Sequence, residues 1–112
     1  MNIPANEQIA AILQAQEWKL AKNYNLHDVS DIQWSVSKDD VKRYIEQNEF
    51  PKGWVYFSEE TFDGVYLLAS GCEWKVYYKE RGIIHSEENF KTREDAMDYL
   101  LTEYYLKRYG IA

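Results

Sequence analysis

From Glu73 to Glu80 apolar and polar positions alternate, with Trp74, Val76 and Tyr78 on one side and Glu73, Lys75, Tyr77 and Lys79 on the other. That period of two predicts a strand with one covered and one wet face. Arg81-Gly82 supplies a turn, glycine tolerating positive φ without a steric penalty, and Ile83 to Phe90 returns as the antiparallel partner. Thr92 is placed to cap a helix with its hydroxyl on the Asp95 amide, and Glu94 and Asp95 suit the positive helix end. Ala96, Met97, Leu100, Leu101 and Tyr104 then recur at helical spacing, and Lys107, Arg108 and Gly110 mark the stop. These signals predict a long helix over about 93–109.

Earlier in the chain, Ile9, Ile12, Leu13 and Leu20, with Ala10, Trp18 and Ala21, form a wide apolar stripe that starts near Pro4 and is interrupted at Gln16 and Glu17. One amphipathic helix ending near Asn23 is expected, and its polar face of Gln, Glu and Lys suits packing on the domain rather than on a membrane. Tyr24 to Ser35 mixes apolar and polar residues without a clear period, compatible with a short helix, a loop or a strand around 32–36. Ser37 and Asp40 form a cap-like pair before Val41, Tyr44 and Ile45, which share one face of a second short helix. Phe50-Pro51-Lys52-Gly53 closes it, and Trp54 to Phe57 reads as a first strand. Asp63-Gly64 is a turn dipeptide that restarts the chain as Val65 to Ser70, and Gly71 makes the next bend. The expected fold is therefore α+β in a single domain, 1–112. It has a helical N-terminal part over about 5–48 and an antiparallel meander of about four strands over about 54–90. The N-terminal helices and the long C-terminal helix are expected to pack on one sheet face, leaving the other wet.

Composition changes this picture in one respect. At 112 residues, 46% apolar and 29% charged, the chain has the makeup of an ordinary globular protein. Ten Tyr and four Trp exceed what one small core uses, so either half-buried strands tolerate tyrosine or a protein-binding face is present. Nineteen acidic against thirteen basic residues give a net charge of −6, which disfavours direct nucleic-acid binding and favours a basic partner. The single Cys72 forms no internal disulfide and reads as a small, partly buried residue. The first residues lack a basic segment followed by an apolar run, and no stretch reaches membrane-spanning length, so a cytoplasmic protein without a membrane partner is expected.

Candidate chemistry is sparse. His27 and His85 have no neighbours at metal or triad spacing, and His85-Ser86-Glu87-Glu88 lies on a strand where successive side chains diverge. The glycines are turn punctuation with no clustered phosphate loop, and the pairs Asp39-Asp40, Glu59-Glu60 and Glu87-Glu88 read as solvated acids. No catalytic, cofactor-binding or metal-ligating residue is assigned, and no enzyme is expected. The segment singled out is the connection from Ser58 to Asp63, which joins three acids to Phe62, with Tyr56 and Tyr66 flanking it, between two strands. It is either a soluble loop or an electronegative knob for a basic groove.

Trp54 to Ser58, Asp63 to Leu68, Trp74 to Gly82, Phe90 and the helix from Glu94 to Leu100, taken together, resemble the immunity proteins of bacterial polymorphic toxin and contact-dependent inhibition systems. The likeness spans Ser37 to Leu106 and leaves the first helix outside it. It implies a toxin inhibitor that binds a cognate toxin domain and blocks it sterically and electrostatically, without catalysis. An acidic face would suit a nuclease as target. The candidate contacts are the charges Glu59, Glu60, Asp63, Glu87 and Glu88 with the aromatic residues Phe62, Tyr66 and Tyr77. A small non-enzymatic adaptor or regulatory domain is the alternative, and either a monomer or a homodimer through an exposed strand edge is compatible with the pattern.

Overall fold

The computed structural model describes residues 3–48 and 55–111. These gather into two compact units, one holding residues 3–48 with 104–111 and the other 55–103.

In the first unit, α1 (Ala5–Gln14) and α2 (Glu17–Asn23) replace the expected single helix. Ala15 adopts left-handed geometry at φ 53°, and the Gln16 N–H closes onto the Ala11 carbonyl at 2.9 Å, the tight wrap that ends a helix. The polar pair at Gln16 and Glu17 already breaks the apolar stripe at this point. Gln8, outwardly a polar-face residue, is buried with its amide fully used. Its nitrogen donates to the Ile3 carbonyl at 2.8 Å and the Ser35 hydroxyl at 2.9 Å, and its oxygen accepts from the Ser35 N–H at 2.9 Å. A side chain so satisfied can sit in an apolar interior and pin the otherwise patternless chain before α3 to α1. That chain contains one 3₁₀ turn, Val29–Asp31, with a reciprocal cap between Asp28 and Asp31, and then an extended run burying Ile32 and Val36. The Ser37–Asp40 capping box forms as expected at the start of α3 (Lys38–Gln47), with the Ser37 N–H donating to Asp40 at 2.9 Å. That N–H, with the Ser37 hydroxyl and Arg43, holds the Asp40 carboxyl below the usual carboxylate range. The expected closure at Phe50–Gly53 and the strand start at Trp54 lie outside the described residues.

The second unit is a four-stranded sheet in the order β1 (Val55–Tyr56), β2 (Gly64–Ser70), β3 (Glu73–Glu80), β4 (Ile83–Phe90), followed by α4 (Arg93–Leu101). The bounds of β3 and β4 fall where the alternation and the Arg81-Gly82 turn put them. Arg81 and Gly82 both take positive φ, 52° and 79°, the mirror-image turn whose twist matches a two-residue hairpin. Thr92 caps α4, accepting from the Asp95 N–H at 3.0 Å.

The expected meander is corrected at its first link, because β1 runs parallel to β2, with Val55 beside Val65 and Tyr56 beside Tyr66. A parallel pair cannot be closed by a tight turn, so residues 57–63 cross back along the sheet and Asp63-Gly64 is not a hairpin. The expected wet face is corrected too. On the α4 side lie Val65, Leu67 and Val76, all buried, and Phe90 meets Tyr99 of α4 with ring centroids 5.1 Å apart. On the opposite side Tyr66 and Tyr77 are 0% and 2% exposed, so that face is buried at its β2–β3 centre, while Ile84, Glu87 and Asn89 of β4 stay exposed on it. Cys72, expected to be partly buried, is exposed at the β2–β3 turn.

The expected long C-terminal helix is wound in three ways: α4, a π turn at Thr102–Leu106 and a 3₁₀ turn at Lys107–Tyr109, stopped by Gly110 at φ 72°. Buried pairs fall at Ala96-Met97, Leu100-Leu101 and Tyr105-Leu106, a step of four and then of five. In a regular helix a step of five turns the side chain about 140° away, and a wider π turn absorbs the extra residue.

Candidate functional site

The crossing segment 57–63 is exposed along its whole length, yet it is tied down at its backbone. The Tyr66 hydroxyl donates to the Phe62 carbonyl at 2.6 Å, Lys79 Nζ donates to the Glu60 carbonyl at 2.6 Å, and the Arg81 N–H donates to the Asp63 carboxylate at 2.8 Å. Within the loop, the Ser58 hydroxyl donates to the Glu60 carboxylate at 3.1 Å. Two of these struts use main-chain carbonyls, so they fix the path of the chain while leaving the Glu59 and Glu60 side chains facing water.

Beneath the loop runs a row of rings. Phe62 stacks on Tyr56 at 5.7 Å, Tyr56 meets Tyr66 at 5.0 Å, and Tyr66 stacks on Tyr77 at 5.0 Å with planes 9° apart. The row follows from the register, since Tyr56, Tyr66 and Tyr77 are successive cross-strand neighbours on one face. Lys79 Nζ lies 4.8 Å from the Tyr66 ring centroid, adding a cation–π contact. Burial raises the Tyr66 phenol above its ordinary pKa, and Tyr77, Tyr56, Glu60 and Asp63 raise it further. Tyr77 is raised by burial and then by Glu59 and Glu87. Both phenols stay protonated near neutrality, which keeps Tyr66 a donor to the loop.

Glu59, Glu60, Phe62 and Asp63 are thus brought together on one fixed loop, with Phe62 57% exposed. Tyr66 and Tyr77 are corrected in role: their rings are inside, supporting the loop from below rather than offering surface. Glu87 joins the same face beside Tyr77 and pairs with Lys75 at 3.2 Å. Glu88 does not join it. Opposite Val76, it lies on the α4 face, where it acts on the Tyr99 phenol. Sequence reasoning set Tyr56 beside the loop without the row it belongs to, and missed Lys79 as a strut. The parallel β1–β2 register that aligns them leaves no local signal.

The first unit has an open cleft of about 450 Å³ lined by Glu17, Val29, Ile32, Trp34, Arg108 and Tyr109. The Glu17 carboxylate accepts from the Tyr109 hydroxyl at 3.0 Å and meets Arg108 at 3.5 Å, and Trp34 and Tyr109 lie 4.8 Å apart. Burial and the Glu17 bond push the Tyr109 phenol up to about 12. These polar groups satisfy one another, and the cleft pairs no nucleophile with a base. Among the described residues, no three His, Cys, Asp or Glu side chains cluster in a way that would hold a metal ion, and no helix is long and apolar enough to cross a membrane. No family model, curated protein or solved structure matches the chain.

Proposed function

We propose that this chain is a non-enzymatic binding protein of the immunity type, which neutralises a toxin domain by seating its acidic loop in a basic groove. The observation that carries the reading is the loop 58–63, whose carboxylates and exposed Phe62 are displayed on a backbone held by Tyr66, Lys79 and Arg81. A loop already ordered loses little conformational freedom on docking, so more of its contact energy is kept as affinity. Phe62 would enter the groove as the desolvated anchor, while Glu59, Glu60 and Asp63 set approach and register. A groove lined by Lys and Arg is what a nuclease uses to attract phosphate, and a net charge of −6 suits such a target.

The test is calorimetric titration of this protein with the C-terminal domain of a large secreted protein encoded beside it. One-to-one binding at about nanomolar affinity is expected. An absence of heat at micromolar concentrations, confirmed by separate elution of the two proteins, would reject the toxin-inhibitor reading.

A further inference from the structure

We infer that the free edge of β4 is a second docking surface, which takes an extended, basic segment of a partner protein as a fifth strand. Among the described residues β4 has a neighbour on one side only, and it is the last strand in the sheet order. It is eight residues long, and Ile83 through Asn89 are all exposed, with Ile83 and Ile84 at 61% and 49%. A strand in this position presents alternate unpaired N–H and C=O groups to any chain that can align with it. Ile83 to Phe90 contains no Pro or Lys to blunt the edge; the charges on it, Glu87 and Glu88, and the bulge at Ser86 would turn away neutral or acidic strands and leave a basic one as the match.

Side-chain chemistry selects the occupant. One end of the edge is apolar, at Ile83 and Ile84; the other is acidic, at Glu87 and Glu88. Ser86 at φ 53° forms a bulge, so that Val76 pairs with Glu88 while Tyr78 pairs with His85. Glu88 therefore shares the α4 face with His85 and Phe90, and Glu87 emerges on the tyrosine face, where Lys75 already contacts it. An added strand would meet a carboxylate on each face, which Lys or Arg can match and Asp or Glu cannot. A second copy of this chain is a poorer occupant. Antiparallel self-pairing over the full strand length sets Glu87 opposite Ser86 and Glu88 opposite His85, so neither carboxylate gains a Lys or Arg across the twofold axis, in chains each carrying −6.

This surface depends on β4 alone, not on the loop or on the partner being a toxin. The probe is a synthetic octapeptide of alternating Lys and Val, followed by backbone amide shifts and hydrogen exchange of the full chain. Binding should shift and protect β4 amides. An alternating Glu and Val peptide should bind about tenfold more weakly or worse, as should the Lys–Val peptide on the E87K/E88K double variant. N-methylation of every second residue of the peptide should abolish protection. Equal binding of the two peptides, protection that survives N-methylation, or shifts confined to residues outside β4 would each overturn the proposal. So would concentration-dependent dimerisation of the unliganded chain with protection at β4. Toxin binding by a chain whose β4 amides the Lys–Val peptide does not protect would reject this inference while the inhibitor reading stands; peptide binding without a toxin partner gives the reverse.

Discussion

Over β2 and β3 the two faces of the sheet are buried by different means. On one, Val65, Leu67 and Val76 meet α4, an aliphatic contact of the usual helix-on-sheet kind. On the other, a row of tyrosines lies under an irregular loop, and hydroxyl and ammonium groups bind the loop's own carbonyls. Aliphatic burial demands a regular cover, because it offers the covering backbone no hydrogen bonds. Tyrosine brings a large apolar ring with a donor at its tip, so it can support a segment that has no secondary structure of its own. Three of the ten tyrosines, Tyr56, Tyr66 and Tyr77, form this row, and Tyr66 alone among them binds the loop backbone with its hydroxyl.

The comparison predicts a graded set of effects. Truncating Leu67 to Ala should cost about 2–5 kcal/mol in denaturant unfolding, since a fully buried side chain leaves a cavity against α4. If the loss is below about 1 kcal/mol, the α4 face is not the close-packed one. Tyr66→Phe keeps the ring and deletes only the strut to Phe62, so a loss of about 1 kcal/mol is expected, with faster amide exchange in 57–63 and none in β3. Uniform protection in that variant would mean the loop is held by packing alone. Thr92→Ala removes the cap of α4 and should likewise cost about 1 kcal/mol, but without altering exchange in the loop.

The pH dependence carries the same distinction. Tyr66, Tyr77 and Tyr109 have folded-state pKa values raised above the ordinary 10, with Tyr109 at about 12. A raised folded pKa stabilises the protein fully below the unfolded value, and that stability is lost as pH climbs through the folded one. Stability should therefore hold as pH approaches 10 and fall between pH 10 and about 12, and Tyr109→Phe should make the upper part of that fall shallower. A denaturation midpoint unchanged over this range would show the phenols to be as free as in the unfolded chain.

Much of the fold was legible because its signals are local. The alternation in 73–80, the Arg81-Gly82 turn, and the Ser37 and Thr92 caps depend on residues within four positions of one another. The features that escaped are those set by distant partners. Gln8 looks like a surface residue until Ser35, far along the chain, takes its amide. The parallel direction of β1 is set by its pairing with β2, which the turn dipeptide Asp63-Gly64 does not reveal, and with it went the alignment of Tyr56, Tyr66 and Tyr77 in one row. The break at Ala15 was marked only by the interrupted stripe. Of the candidate site, the acids and Phe62 were readable as an exposed turn-rich segment. The inward orientation of Tyr66 and Tyr77 was not, because period two gives the face of a strand and not what covers it.

Whether the fixed acidic loop governs docking is tested most directly by the association rate of the candidate toxin domain at several salt concentrations. The wild type is compared with the E59K/E60K double variant. The variant should associate about tenfold or more slowly at low salt and show a flatter salt dependence, with an unchanged unfolding midpoint because both side chains are exposed. Identical association rates across the salt series would contradict the account and remove the loop from the interface.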